Sequence, residues 1–375
     1  MASSNKAIVI LGGYGNFGAR IARALALDAN LKLVIAGRNL RAATSFAESL
    51  GPNVSGAQLD VGSSDLAQQL QQLNAGLVIH TAGPFQGQQW QVPQAVAAAG
   101  AHYIDLADGR RWVCDFPAAL HATFAERNLC AIAGASTVPA LSSAVVDELA
   151  QLLSSIEGIH ICIAPAQQAP RGIATLESVL SYCGEPIRVW RNGQWCDQPG
   201  WAHPQWVEFP RMKRRRGALC DIPDLELFPT RYLQAKDVMF RAALEVGFTQ
   251  WMFAALSALR RWRLMSNLRG LAPTLNKYAT LFDRFGTPLG GMVVQVKGRN
   301  VEGLARTFSW HIAADDHHGP EIPCMAAIIL ARRIVSGDVP IVGARPCIGL
   351  IKLSEFQPEF VKWGMVVDVI ETIKQ

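Results

Sequence analysis

The chain has 375 residues, 50% of them apolar and 17% charged, with a formal net charge of +5. That length and apolar content exclude a disordered chain or a small stapled domain and predict more than one buried core. The small positive balance implies no nucleic-acid partner, and the polar residues 1–5 lack a leader pattern, so the expected location is cytoplasmic.

Short apolar runs alternate with helical spacing through the first 150 residues. "KAIVILG" reads as a strand, "NFGARIARALALD" as a helix and "LKLVIAGR" as a second strand. "NLRAATSFAESLG" is a helix with Gly51 in the stop position and Pro52 behind it. "VSGAQLDV", "AGLVIHTAG", "HYIDLAD" and "LCAIAGAS" are the next four strands. Between them "SSDLAQQLQQL", "VPQAVAAAG" and "FPAALHATFAERN" read as helices. Strands apolar on both faces and separated by helices mean a parallel sheet covered on two sides. The expected fold class is α/β. It places a Rossmann-type doubly wound parallel sheet over residues 1–155 and an inserted α+β domain over 156–321. A C-terminal segment, 322–375, is expected to pack back on the first domain.

Within the insert, "GIHICIAPA", "EPIRVWRNGQW" and the runs between 290 and 313 read as antiparallel strands, with Asn192-Gly193 as a hairpin turn. Helical segments are expected from Leu233 to about Leu271. The basic run 211–216, "RMKRRR", reads as a solvated loop, or else as a patch for an anionic surface or substrate. "VGFTQWMFAALSAL", 246–259, is shorter than the ~20 residues a membrane span needs and reads as a buried helix. The alternative is an interfacial helix, because Arg260, Arg261 and Arg263 follow it and Trp251 and Trp262 stand near its ends. The eight cysteines form no CxxC pair, so reduced thiols and no metal are expected. "YLQAK", 232–236, has the spacing of the short-chain dehydrogenase Tyr-Lys pair, but it lies in the insert and reads as coincidence. "DDHHG", 315–319, reads as a polar turn.

Gly13, Gly15 and Gly18, with Asn16 and Phe17 between them, match GxGxxG where a first strand meets a first helix. That placement is what a dinucleotide clamp requires: a tight turn, close backbone approach to a pyrophosphate, and close helix–strand packing. The second strand ends "VIAGRN" without the carboxylate that holds an NAD ribose. Gly37 leaves room there, and Arg38 with Asn39 beside it suits a 2′-phosphate, so the expected cofactor is NADP. Asp60 and Val61 after the third strand are expected on the adenine side. Ala82, Gly83, Pro84 and Phe85 after the fourth are expected beside the nicotinamide half.

Together "GGYGNFG", "AGR", "VIHTAGPF" and "AAAGAHYIDLAD" resemble the saccharopine-dehydrogenase-like NADP-binding oxidoreductases over roughly the first 140 residues. "ARRIVSGDVPIVGARPCIGLIKLSEF" is similar to the end of bacterial members. The resemblance implies NADP and the reduction of imines to secondary amines or, in other branches, of C=C bonds of lipids. It also implies that Tyr103 and Asp105 face the nicotinamide as catalytic candidates, with His102 and Asp108 near them. Asp105 as a proton donor would need burial to raise its pKa; the alternatives are a helix-capping or structural carboxylate at Asp105 and a core tyrosine at Tyr103. Ser136 and Thr137 stand where amino-acid-handling members carry an Asp-Pro-Gly turn and are the substrate-binding candidates. The missing Asp argues against saccharopine-type substrates. Tryptophans of the insert are expected to line a pocket for an apolar small molecule. The expected function is therefore an NADP-dependent oxidoreductase acting on a C=N or C=C bond, with a non-catalytic NADP sensor as the alternative. A homodimer is expected, and a membrane surface met through residues 238–263 is the less favoured alternative partner.

Overall fold

The computed structural model describes residues 6–170 and 172–373; the polar stretch 1–5 lies outside the described residues. In chain order the first elements are β1 (Ala7–Leu11), α1 (Asn16–Ala26), β2 (Leu33–Gly37), α2 (Leu40–Glu48) and β3 (Val54–Gln58). Then come α3 (Leu66–Gln72), β4 (Ala75–His80), α4 (Gln91–Ala98), β5 (His102–Asp105), α5 (Arg110–Ala125) and β6 (Cys130–Ala133). The middle of the chain holds α6 (Ser142–Ala150), β7 (Ser155–Ala164), α7 (Ile173–Tyr182), β8 (Pro186–Arg191), β9 (Gln194–Pro199), β10 (Gln205–Phe209) and β11 (Met212–Leu219). It continues with α8 (Asp224–Arg231), β12 (Asp237–Ala243), α9 (Gly247–Arg261), α10 (Ala272–Ala279), β13 (Gly290–Arg299) and β14 (Ala305–Ala314). The last elements are α11 (Ile322–Val335), β15 (Gly343–Pro346), α12 (Leu353–Lys362) and β16 (Val366–Ile373).

One compact unit comprises the described part of Met1–Ala140 with Glu321–Ile351. Its seven strands run in the order β15-β6-β5-β4-β1-β2-β3, and every pairing is parallel. β1 is buried along its whole length, and so is β4 apart from Gly76, as strands covered on both faces must be. The chain winds outward from β1 to β3 and then returns to pair β4 on the other side of β1. That reversal leaves a crevice at the carboxyl ends of β1 and β4, where ligands of such sheets bind. α5 begins at Arg110, six residues before the expected Phe116, which brings Trp112 into the core.

The other unit, Leu141–Pro320 with the described part of Lys352–Gln375, carries a nine-stranded sheet ordered β10-β11-β12-β7-β13-β14-β16, with β8 and β9 attached at β12. β12 pairs parallel with β7, and the remaining pairings are antiparallel. Asn192 and Gly193 both adopt left-handed φ at the tip of the β8–β9 hairpin, as its two-residue turn demands.

Three expectations are corrected here. The segment 237–243 is a central strand, because pairing with β7 and β11 on its two sides outweighs its local spacing. The basic run lies on β11, where alternation turns Arg215 inward to the carbonyls of Pro165 (2.8 Å) and Leu289 (3.1 Å), while Arg214 and Arg216 face out. The C-terminal segment divides: α11 packs on α1 and β15 extends the parallel sheet, but α12 and β16 belong to the second sheet. β16 takes the free edge of β14, and Phe360 packs on Phe356 (6.2 Å between centroids) and on the buried Trp310 (6.1 Å).

α9 also departs from its buried-helix reading. Thr249, Gln250, Phe253 and Ser257 point inward, while Phe248, Trp251 and Trp262 are exposed. Phe253 packs on the buried Trp201 (4.7 Å), and the polar residues beside it dock on backbone: Ser257 donates to the Gly200 carbonyl (2.8 Å), and Gln250 accepts from the Leu244 amide (3.1 Å). Among the described residues no helix is long and apolar enough to cross a membrane.

Phe356 has no exposed surface, so Phe356→Ala should cost about 3–5 kcal/mol. Urea unfolding followed by tryptophan fluorescence measures it; a change under about 1 kcal/mol would mean α12 is not part of this core.

Candidate functional site

The turn after β1 is tied to β2, since the amides of Gly12 and Gly13 both donate to the Ala36 carbonyl at 2.9 and 3.1 Å. Gly12 has φ +75°, a conformation that favours glycine. A Cβ on Gly13 would lie 2.8 Å from the Ile10 carbonyl, and one on Gly18 would strike the Gly12 carbonyl and lie 2.8 Å from Thr81 Oγ1. Thr81, which sequence reading missed, follows β4 and donates from Oγ1 to the Leu11 carbonyl at 2.8 Å. It fills the space under the turn. Gly15 begins α1 with no side-chain cap, and the first turn carries no carboxylate. The positive end of a helix favours an anion, and the bare glycines leave a pyrophosphate room to approach it. The residues therefore fit a dinucleotide. Asn16 accepts from Arg20 (2.8 Å), which pairs with Glu321 (2.9 Å) at the start of α11, while Cys324 contacts the Phe17 carbonyl (3.6 Å).

At the end of β2 the room above Gly37 is filled rather than open. A Cβ there would lie 2.6 Å from the Tyr14 hydroxyl, which accepts from the Asn39 amide at 3.1 Å. The Asn39 side chain caps α2 by accepting from Ala42 (3.1 Å), and Gln58 holds the Arg38 carbonyl (3.2 Å). Arg38 itself is exposed, and among the described residues no carboxylate pairs with it. Asp60 is exposed and shapes its own turn by accepting from Gly62 (3.0 Å), with Val61 half-buried beside it.

The ends of β4 and β5 carry a buried polar chain. His80 and Asp105 are register partners, so His80, Tyr103 and Asp105 point to the same face of the sheet. Asp105 Oδ1 accepts from the amides of Gly134 (2.8 Å) and Ala107 (3.0 Å), and Oδ2 accepts from Trp112 Nε1 (2.7 Å) and the Tyr103 hydroxyl (3.1 Å). The single phenolic proton of Tyr103 is thereby used, so His80 Nδ1, 2.9 Å away, is the donor to its oxygen. His80 Nε2 is left as a buried acceptor without a partner. Burial pushes the histidine down to about 4 and lifts Asp105 to about 6, four donors notwithstanding.

Tyr103 and Asp105 are enclosed and do not present an atom to a substrate, which differs from their expected place at the nicotinamide. Phe85 likewise turns inward, edge-on to His80 at 5.0 Å and 5.5 Å from Trp112, while Ala82, Gly83 and Pro84 stay at the surface of the loop. Gln88, also missed, holds that loop through the carbonyls of Ala82 (3.1 Å) and Pro84 (2.7 Å). Ser136 is buried and Thr137 half-buried in the loop after β6, next to Gly134. His102 accepts from the Cys130 amide (3.0 Å), whereas Asp108 is exposed and bonded to Gln86 (3.1 Å).

Elsewhere, Tyr232 donates to Asp147 (2.6 Å), a packing role that fits its place in the second unit. The tryptophans do not gather into a pocket: Trp201 and Trp310 are core, Trp190 and Trp195 meet edge to face on one hairpin, and Trp206, Trp251 and Trp262 are exposed. Among the described residues no group of three His, Cys, Asp or Glu could hold a metal.

Because Asp105 holds its proton more tightly folded than at the ordinary 3.8, its protonation favours the fold fully below about pH 4, and that contribution is lost as pH rises through about 6. Trp112→Phe deletes a donor to the charged form, so it should cost about 1.5–3 kcal/mol at pH 8. The cost should shrink by pH 5, where the carboxyl is protonated. Urea denaturation at the two pH values reads the difference; an equal loss at both would contradict the assignment.

Residues 8–134 match the family model described as Saccharopine dehydrogenase NADP binding domain. No curated protein matches the chain. Among solved structures it is similar to apo histidine-tagged saccharopine dehydrogenase (L-Glu forming) from Saccharomyces cerevisiae. The TM-score is 0.71 at 11% identity, covering 98% of this chain and 100% of that one, a likeness of fold. A meso-DAP dehydrogenase mutant with DAP from Clostridium tetani E88 matches at TM-score 0.49 and 12% identity, over 95% of this chain and 98% of that one. GenD2 from gentamicin A biosynthesis, in complex with NAD, matches at TM-score 0.39 and 15% identity, over 80% of this chain and 71% of that one. With its glycine turn and parallel sheet, the stretch 8–134 is a domain of the saccharopine dehydrogenase NADP-binding type, and the chain as a whole shares the fold of saccharopine dehydrogenase.

Proposed function

We propose that the chain is an NADP-dependent reductase of a C=N bond in a small molecule. The observation that carries the cofactor choice is Arg38: exposed, unpaired among the described residues, and beside the amino end of α2 where NAD enzymes carry a carboxylate. Gly13, Gly15 and the first amides of α1 would hold the pyrophosphate. Arg38, with the α2 amides, would hold a 2′-phosphate, and Ala82, Gly83 and Pro84 would flank the nicotinamide half. The bound dinucleotide supplies the hydride.

The enclosure of Tyr103 and Asp105 supports a C=N substrate over a ketone or an enone. An iminium carbon accepts hydride and gives a neutral amine, whereas a ketone gives an alkoxide and an enone an enolate, each needing an acid from the protein. In this reading Asp105 and Tyr103 are positioning residues: they hold the ends of β4, β5 and β6 together and fix the tautomer of His80. Thr137, Ser136 and the exposed Asp108 are the proposed substrate contacts.

Calorimetry should find NADPH bound at least tenfold tighter than NADH. Arg38→Ala should weaken NADPH about 10- to 100-fold, the worth of a charge-assisted contact, with NADH within twofold. An unchanged ratio would refute the NADP assignment. In NADPH oxidation assays, turnover with cyclic imines but not ketones or enones is expected, and turnover confined to ketones or enones would overturn the C=N reading.

A further inference from the structure

α9 turns more aromatic surface outward than a helix whose only neighbour is its own core would. Its inner face holds Phe253, packed on Trp201 (4.7 Å), among Thr249, Gln250 and Ser257, while Phe248, Trp251 and Trp262 are 62%, 57% and 72% exposed. The outward aromatics do not stand alone. The Arg216 guanidinium lies 5.3 Å from the Trp251 ring and 4.8 Å from the exposed Trp206, and Arg214 covers Trp206 from 4.7 Å. Phe248 stacks on Phe282 at 5.4 Å, and Arg284 covers the exposed Phe285 at 4.6 Å. The β10–β11 hairpin, α9 and the turn after α10 thus form one surface of aromatic rings roofed by arginines.

Its charge is one-sided. From Gly247 to Phe285 the chain carries six basic residues and one acid, Asp283. Asp283 accepts from Gln167, and Arg260 is spent on Glu185 (2.5 Å) and on loop carbonyls. Arg261, Arg263 and Arg284 are exposed, as is Glu208 on β10. We propose that this face docks on an anionic lipid surface, with the rings entering the headgroup–acyl boundary and the arginines meeting lipid phosphates. Tryptophan and arginine are suited to that boundary, having apolar bodies and polar tips. A second copy of the chain fits worse. A two-fold interface would set this arginine-rich face against itself, with Glu208 the one exposed acid named on it. A nucleic acid would meet the charges but would leave the helix's apolar face in water. The inference is independent of the substrate proposed above.

The test uses the full chain and vesicles of phosphatidylcholine with and without 30% phosphatidylglycerol. Flotation with the anionic vesicles, little with the neutral ones, and weakening at high salt are expected, together with a blue shift of tryptophan emission. Phe248→Ser with Trp251→Ser should reduce binding at least tenfold, and Arg261→Gln or Arg284→Gln about fivefold each, with cofactor affinity unchanged as the control for folding. No flotation, equal flotation with both vesicle types, or a dimer in light scattering that the aromatic double variant dissolves would overturn the proposal. So would binding to DNA in place of vesicles.

Discussion

The amino end of α1 can stand against the turn after β1 only because Gly18 has no side chain. A single methyl there would drive into the Gly12 carbonyl and the Thr81 hydroxyl. That close approach sets the start of α1 at the carboxyl end of the sheet, with no side-chain cap on Gly15. Thr81 joins this turn to β4, and Glu321 reaches it through Arg20. The anion site is therefore built on strands and helices, and its geometry is inherited from the sheet.

One strand further along, a different physical solution holds the sheet's edge together. Asp105 gathers donors from its own strand, from the loop after it, from α5 and from the loop after β6. A carboxylate so placed is costly to bury, and its raised pKa reflects that cost. What it returns is alignment: Asp105 ties the ends of β5 and β6 to α5, and Tyr103 carries the chain on to His80 at the end of β4. The chemistry of the site then follows from which groups are enclosed and which are left at the surface. Arg38 is exposed and Thr137 half-buried, while Tyr103, Asp105 and Phe85 are inside.

The second unit is organised on another logic. Its sheet is mixed, and its edge is completed by β16 from the end of the chain. α9 is held by one aromatic contact, Phe253 on Trp201, and by hydrogen bonds to loops, while its remaining rings face outward beside arginines.

Local pattern was enough for much of the first unit. Runs such as "AIVIL" and "LVIAG" have no polar face to expose, the glycine spacing allows one kind of turn, and a strand end without a carboxylate at Arg38 is visible in the letters alone. Tertiary structure decided the rest, because the interactions concerned join residues far apart in the chain. Whether Asp105 faced a substrate or the core depended on Trp112, seven positions on, and on a helix starting at Arg110. The strand at 237–243 exists because β7 and β11 flank it, and β16 because β14 offered an edge. Which side of α9 lies inward was set by the carbonyl of Gly200 and the amide of Leu244, and no periodicity of apolar letters encodes such partners.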